Sequence, residues 1–200
     1  MSSSRETILT AIRRNKPEQS PLPEIPDFES APGDLVASFT AMIEQAKGEV
    51  LVGFTEEELA RRLAERYTEV QQVWSALPSL WTGNVAINTQ TPPASLAGLD
   101  LAVVSGAWGV AENGAIWVPE SSLPQRVVAF ITQHLVIVLE PSRIVSNMHQ
   151  AYQKLGARFG GFGVFIAGPS KTADIEQSLV IGAHGPKSLT VCLVSADSER

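Results

Sequence analysis

The chain has 200 residues, 44% of them hydrophobic and 18% charged, with a net charge of −6. That is enough apolar material for one domain with a real core, and the acidic balance disfavours a nucleic-acid backbone or an anionic membrane as the main partner. The single cysteine, Cys192, excludes an internal disulfide and any zinc or iron–sulfur site built on the chain's own thiolates.

"SSSRETILTAIRRN" opens the chain as a short helix, with Ser3 and Glu6 spaced as a capping box and Ile8, Leu9 and Ile12 on one face. No apolar run approaches the ~20 residues of a membrane span and no leader-type apolar core is present, so a cytoplasmic protein is expected. Residues 16–33 hold five prolines and few large apolar side chains, which predicts an extended linker. Helix and linker, 1–33, therefore stand apart from an α/β domain over 34–200. The helix's apolar face needs a home on a partner or on that domain.

From Asp34 helical and strand patterns alternate. "LVASFTAMIEQA" has helical spacing, "GEVLVGF" reads as a strand, and "TEEELARRLAERY" opens with Thr55 and Glu58 as a second capping box. Further strands are expected at 100–106, 134–140, 162–168 and 189–194, all short, apolar and rich in β-branched residues, with helices near Ser146 to Leu155 and Ser170 to Ile181. This rhythm predicts an α/β fold with a mostly parallel sheet covered by helices on both faces. "WGVAENGAIWV" breaks it, because Asn113-Gly114 between two apolar runs is a hairpin signal. An antiparallel hairpin is thus inserted, with Glu112 at its turn.

Candidate chemistry gathers in three places. Glu112 is either a charged turn residue or a carboxylate held at the mouth of the sheet as nucleophile or base. The stretch "GPSKTADIEQSLVIGAHGP" puts Ser170 and Thr172 where they cap the expected helix or contact an anion at its N-terminus. His184 lies after that helix, between glycines, as an acid, a base or a residue that only complements the helix dipole. His134, His149 and His184 have no ligand-type spacing, so no metal is expected on this chain. "GGFG" at 160–163 precedes a strand, whereas a dinucleotide loop follows one and opens a helix.

"GVAENGAIWV", "LPQRVVAFITQHLVIVLE", "SRIVSNMHQAY" and "GPSKTADIEQSLVIGAHGPKSLTVCLV", in that order, resemble the LUD domain and within it the lactate utilization protein C family. The resemblance runs over about residues 35–195, and the N-terminal helix and linker are also similar to that family's N-terminal region. It implies a fold like the NagB/RpiA/coenzyme A transferase group and, on the family's motif, Glu112 and His184 as catalytic candidates. It likewise implies Asn113, Gly114, Arg126, Gly168, Ser170, Lys171, Thr172, Asp174 and Glu176 as ligand-binding candidates. "AENG" further resembles the "SENG" element of class I coenzyme A transferases, with Ala111 in place of the serine.

The function so implied is that of a subunit in L-lactate oxidation to pyruvate. It would bind no cofactor itself and act beside iron–sulfur partner subunits that hold the clusters, with a small carboxylate as ligand. The alternative is a free-standing enzyme of coenzyme A transferase-like fold acting on a carboxylate, acyl or sugar-phosphate ligand, with Glu112 as nucleophile or base.

Overall fold

A computed structural model describes residues 3–18, 20–26, 28, 33–156, 161–175 and 178–194, with backbone only at 173–175 and 178–179. Helix α1, Ser4–Arg14, has the expected capping box: Ser3 Oγ accepts from the Glu6 N–H at 3.3 Å and the Glu6 carboxylate accepts from the Ser3 N–H at 3.0 Å. None of its residues is buried; Ile8 and Ile12 of its apolar face are exposed and Leu9 is half-buried. Among the described residues no helix is long and apolar enough to cross a membrane.

Two layers of sheet build the domain. The central sheet joins β1 (Glu49–Val52), β2 (Val73–Ser75), β3 (Leu101–Ser105), β6 (His134–Leu139) and β11 (Ser188–Leu193) in the order β1-β11-β6-β3-β2, all parallel. Alternate side chains leave its two faces. Leu101, Val103, Val136 and Cys192 meet Leu59 and Leu63 of helix α3, Glu56–Arg66, while Ala102, Val104, Ile137 and Val191 meet the other core with Phe39 and Ile43 of helix α2, Leu35–Gln45. With both faces covered the strands are apolar throughout, as their composition predicts.

The second sheet holds β4 (Trp108–Val110), β5 (Ile116–Pro119), β7 (Ile144–Val145) and β8 (Gly163–Ile166) in the order β7-β4-β5-β8. The expected hairpin is β4–β5, but it does not interrupt the parallel sheet; it packs over it through Ile116 and Val118. The strand at 162–168 belongs here too, antiparallel to β5. Its register puts Gly163 under the Trp117 indole.

The helix expected at Ser170 to Ile181 is instead an antiparallel hairpin, β9 (Lys171–Ile175) with β10 (Ser178–Ile181). Thr172 faces Val180 and Lys171 faces Ile181. The β-branched pair Thr172–Val180, with the base closed by Ser170 N–H donating to Pro186 O at 2.9 Å, outweighs the helix propensity of the intervening residues.

One polar chain crosses the foot of the central sheet. Thr190 is fully buried in β11, and its hydroxyl shares a 2.8 Å hydrogen bond with Tyr67. Tyr67→Phe leaves that hydroxyl unsatisfied and is expected to lower stability by about 1–3 kcal/mol in urea denaturation.

Candidate functional site

The residues singled out from sequence fall in three places. At the first, "AENG" is a four-residue loop closing β4–β5. Gly114 takes φ +69° and donates to Val110 O at 2.9 Å, and Asn113 Oδ1 accepts from the Ala115 N–H at 2.9 Å. The loop lies on α2, where a Cβ at Gly114 would come 3.0 Å from the Ile43 nitrogen. Glu112 then reaches helix α5, Met148–Leu155, the next helix after the one-turn α4, Val128–Ile131: its N–H donates to Ser146 O at 3.0 Å and Oε2 accepts from the Met148 N–H at 3.0 Å. A carboxylate in that position satisfies a first-turn donor and complements the helix dipole.

Glu112, Ser146, Asn147 and His149 line a cavity of about 410 Å3, and Phe28 of the linker stacks on the His149 ring with centroids 4.1 Å apart. The histidine sharing a cavity with Glu112 is therefore His149, whereas the sequence pairs Glu112 with His184. The signal for His149 was Asn147, a Ser/Thr/Asn/Asp-type cap whose Oδ1 accepts from the Gln150 N–H at 3.0 Å. That cap sets the phase of α5. What brings it beside Glu112 is the β4–β7 pairing of Val110 with Val145, which no local pattern announces.

At the second place the two ends of the long signature converge. Gly168, Ser170, His184 and Pro186 line a cavity of about 220 Å3 with an apolar floor that includes Phe130 and Leu135. Lys171 leaves this group. Its Nζ donates to Ala46 O at 3.2 Å, at the C-terminal end of α2 where a cation complements the dipole. Thr172 and Asp174 lie along β9, and Glu176 lies outside the described residues. With no helix here, neither an anion site at its N-terminus nor a dipole role for His184 at its C-terminus applies.

At the third place Arg126 Nε donates to Glu120 Oε1 at 2.7 Å, and its guanidinium lies 5.0 Å from the centroid of the Phe162 ring. Glu120 Oε2 accepts from the Phe162 N–H at 3.0 Å. The hydrogen bond from Arg126, then that from Phe162, holds the Glu120 carboxyl below its ordinary pKa. Glu120 and Phe162 were not read from sequence. The signal lay in "GGFG": a Cβ at Gly161, which has φ +102°, would meet Glu120 Oε2 at 2.9 Å, so the turn is shaped to close on that carboxylate.

His134 sits apart, at the amino end of β6. Its Nδ1 and Ser188 Oγ lie 2.8 Å apart. Burial, then the Lys187 charge and to a lesser degree Arg66, lowers its pKa from the ordinary 6.5, against an opposing pull from Asp100. A depressed folded-state pKa means that protonation favours the unfolded chain, so the associated stability is present above pH 6.5 and is lost as pH falls below it. His134→Gln is expected to flatten the decline of the urea midpoint between about pH 7 and 5, where wild type loses stability.

The LUD domain family model matches residues 94–194, half of the chain, and this span contains Glu112, Arg126, Gly168, Ser170 and His184. The chain belongs to the LUD domain family. A lactate utilization protein C of Bacillus pumilus is 34% identical over 98 residues, 46% of this chain and 41% of that relative. Another from Shouchella clausii is 33% identical over 95 residues, 45% of this chain and 41% of the relative. The matched stretch thus spans about two fifths of these curated relatives. The crystal structure of a DUF162 family protein from Deinococcus radiodurans superposes with a TM-score of 0.62 at 18% identity, covering 80% of this chain and 96% of the other. At that identity the likeness is one of fold, and it agrees with the parallel sheet and its helical cover.

Cys192 is fully buried against α3, and burial pushes its thiol up to about 12. It is a core side chain that stays protonated, unsuited to thiolate chemistry. Among the described residues no three His, Cys, Asp or Glu side chains come together as a metal-binding group.

Proposed function

We propose that this chain is a lactate utilization protein, a subunit of a system that oxidises L-lactate to pyruvate and passes the two electrons to iron–sulfur partner proteins. The observation that carries the reading is the set of relatives named lactate utilization protein C, whose matches reach 46% of the chain at 34% identity. Within this reading the cavity at Gly168, Ser170 and His184 is the pocket for a small acid. Its volume suits a compact ligand, and the imidazole and hydroxyl supply the few polar contacts that orient one.

The test is growth of a bacterium lacking the gene, with no second copy, on L-lactate as sole carbon source. Growth should fail and return with the full chain; unimpaired growth would remove the proposal. Complementation by Glu112→Gln is expected to succeed as well, because the amide oxygen still accepts from the Met148 N–H. The substitution should move stability by no more than about 1 kcal/mol, the value of a charge at a helix end.

A further inference from the structure

We propose that the cavity at Arg126 binds an organic oxyanion larger than lactate, a carboxylate or phosphate ester whose charged end rests on the guanidinium. The cavity is about 860 Å3, within the range of sites for ligands of drug or cofactor size, and a three-carbon acid fills only a small part of it. The Arg126 side chain is 61% exposed, and it is aimed rather than free. Glu120 grips its Nε edge at 2.7 Å and Phe162 lies under its plane. Glu120 spends its second oxygen on the Phe162 N–H, so it orients the guanidinium with both of its oxygens engaged. Among the described residues the terminal amino groups of Arg126 have no hydrogen-bond partner, and that fork is the half of the group that matches a carboxylate or phosphate in bidentate fashion.

A second stretch of the lining is pinned as well. Gln125 Nε2 donates to Asn88 O at 3.1 Å and to Thr89 O at 2.7 Å, holding that loop against the motif that carries Arg126. Pro93, Pro119 and Pro124 add walls of restricted backbone. A ligand here meets a cation already oriented and a wall already ordered, which lowers the cost of binding. The hydroxyls of Thr89 and Ser121 on the same cavity offer further hydrogen bonds.

Isothermal titration of the full chain decides it, with adenosine 5′-monophosphate for the phosphate arm, citrate for the carboxylate arm and L-lactate as the size control. One of the first two should bind saturably, more weakly as salt is raised, and at least about tenfold more tightly than L-lactate. Arg126→Gln should weaken that binding by about tenfold or more, the loss of one bidentate charged pair, and Arg126→Lys by less. Far-UV circular dichroism and Tm of both variants should match wild type, since the side chain is exposed. If neither larger anion binds, if L-lactate binds as tightly, or if Arg126→Gln binds as wild type does, the proposal falls. None of these readouts depends on growth on lactate, so failure here and failure of the lactate reading are distinguishable.

Discussion

Gly163→Val is expected to destabilise the domain by more than about 4 kcal/mol, at the extreme end of single substitutions. Gly163 opens β8 opposite Pro119, and the Trp117 indole lies directly over its Cα. A Cβ at this position would fall among the ring atoms Cζ2, Cη2 and Cε2. The ring has nowhere to go. Trp117 is 6% exposed and packs against Phe165 with centroids 4.8 Å apart, and a close-packed interior does not yield the volume of an isopropyl group. The glycine is required for space, since an indole laid across it supplies the contact that its missing side chain cannot. Urea denaturation followed by tryptophan fluorescence measures the loss. A smaller residue at 117 should relieve it, so Trp117→Leu combined with Gly163→Ala should be more stable than the sum of the two single losses predicts. A wild-type midpoint for Gly163→Val would show that β8 does not run beneath Trp117.

Local rules read well wherever the partners lie close in sequence. Ser3 with Glu6 and Thr55 with Glu58 form the two capping boxes three residues apart, as the spacing predicts. Strands β1, β3, β6 and β11 of the central sheet appear where apolar runs lie between breakers, because burial on both faces keeps those runs almost wholly apolar, whereas the three-residue β2 was not expected from its sequence. The hairpin at Asn113-Gly114 forms, but as a four-residue loop in which Gly114 alone of the dipeptide takes positive φ, and not as the two-residue turn that Asn-Gly favours.

Errors arise where distant residues decide. Ser170 to Ile181 contains Ala173, Glu176, Gln177 and Leu179, good helix formers behind possible caps. The chain there extends because Ser170 is tied to Pro186 and Lys171 to Ala46. The candidate site follows the same division. The two ends of the signature meet as one cavity, because the β9–β10 hairpin returns the chain to its start. Glu112 and Arg126 do not join them, each being fixed by contacts from the second sheet or its loops. Glu120 escaped notice because its partner Phe162 is 42 residues away.

Gly168→Val is the second large effect expected, a loss of about 3–5 kcal/mol concentrated in the signature hairpin. Two costs add. Gly168 has φ +76°, a region that costs a β-branched residue about 1–3 kcal/mol. A Cβ there would also come 2.5 Å from Ala46 O and 2.9 Å from Ala46 Cβ. Ala46 cannot retreat, for its own N–H donates to Met42 O at 3.0 Å and its carbonyl receives Lys171 Nζ. Lys171→Met removes only the second of these ties, at an exposed site, and should cost about 1 kcal/mol or less. The comparison separates the steric lock from the charged cap. Because β11 begins at Ser188 and pairs with β6 from its first residue, the central sheet does not depend on the hairpin staying docked. Gly168→Val should therefore raise hydrogen exchange at 180–186 while the amides of β6 and β11 keep most of their protection. Equal loss of protection in both regions would mean that hairpin and sheet unfold as one unit, and the cavity at His184 would then be part of the core instead of a detachable rim upon it.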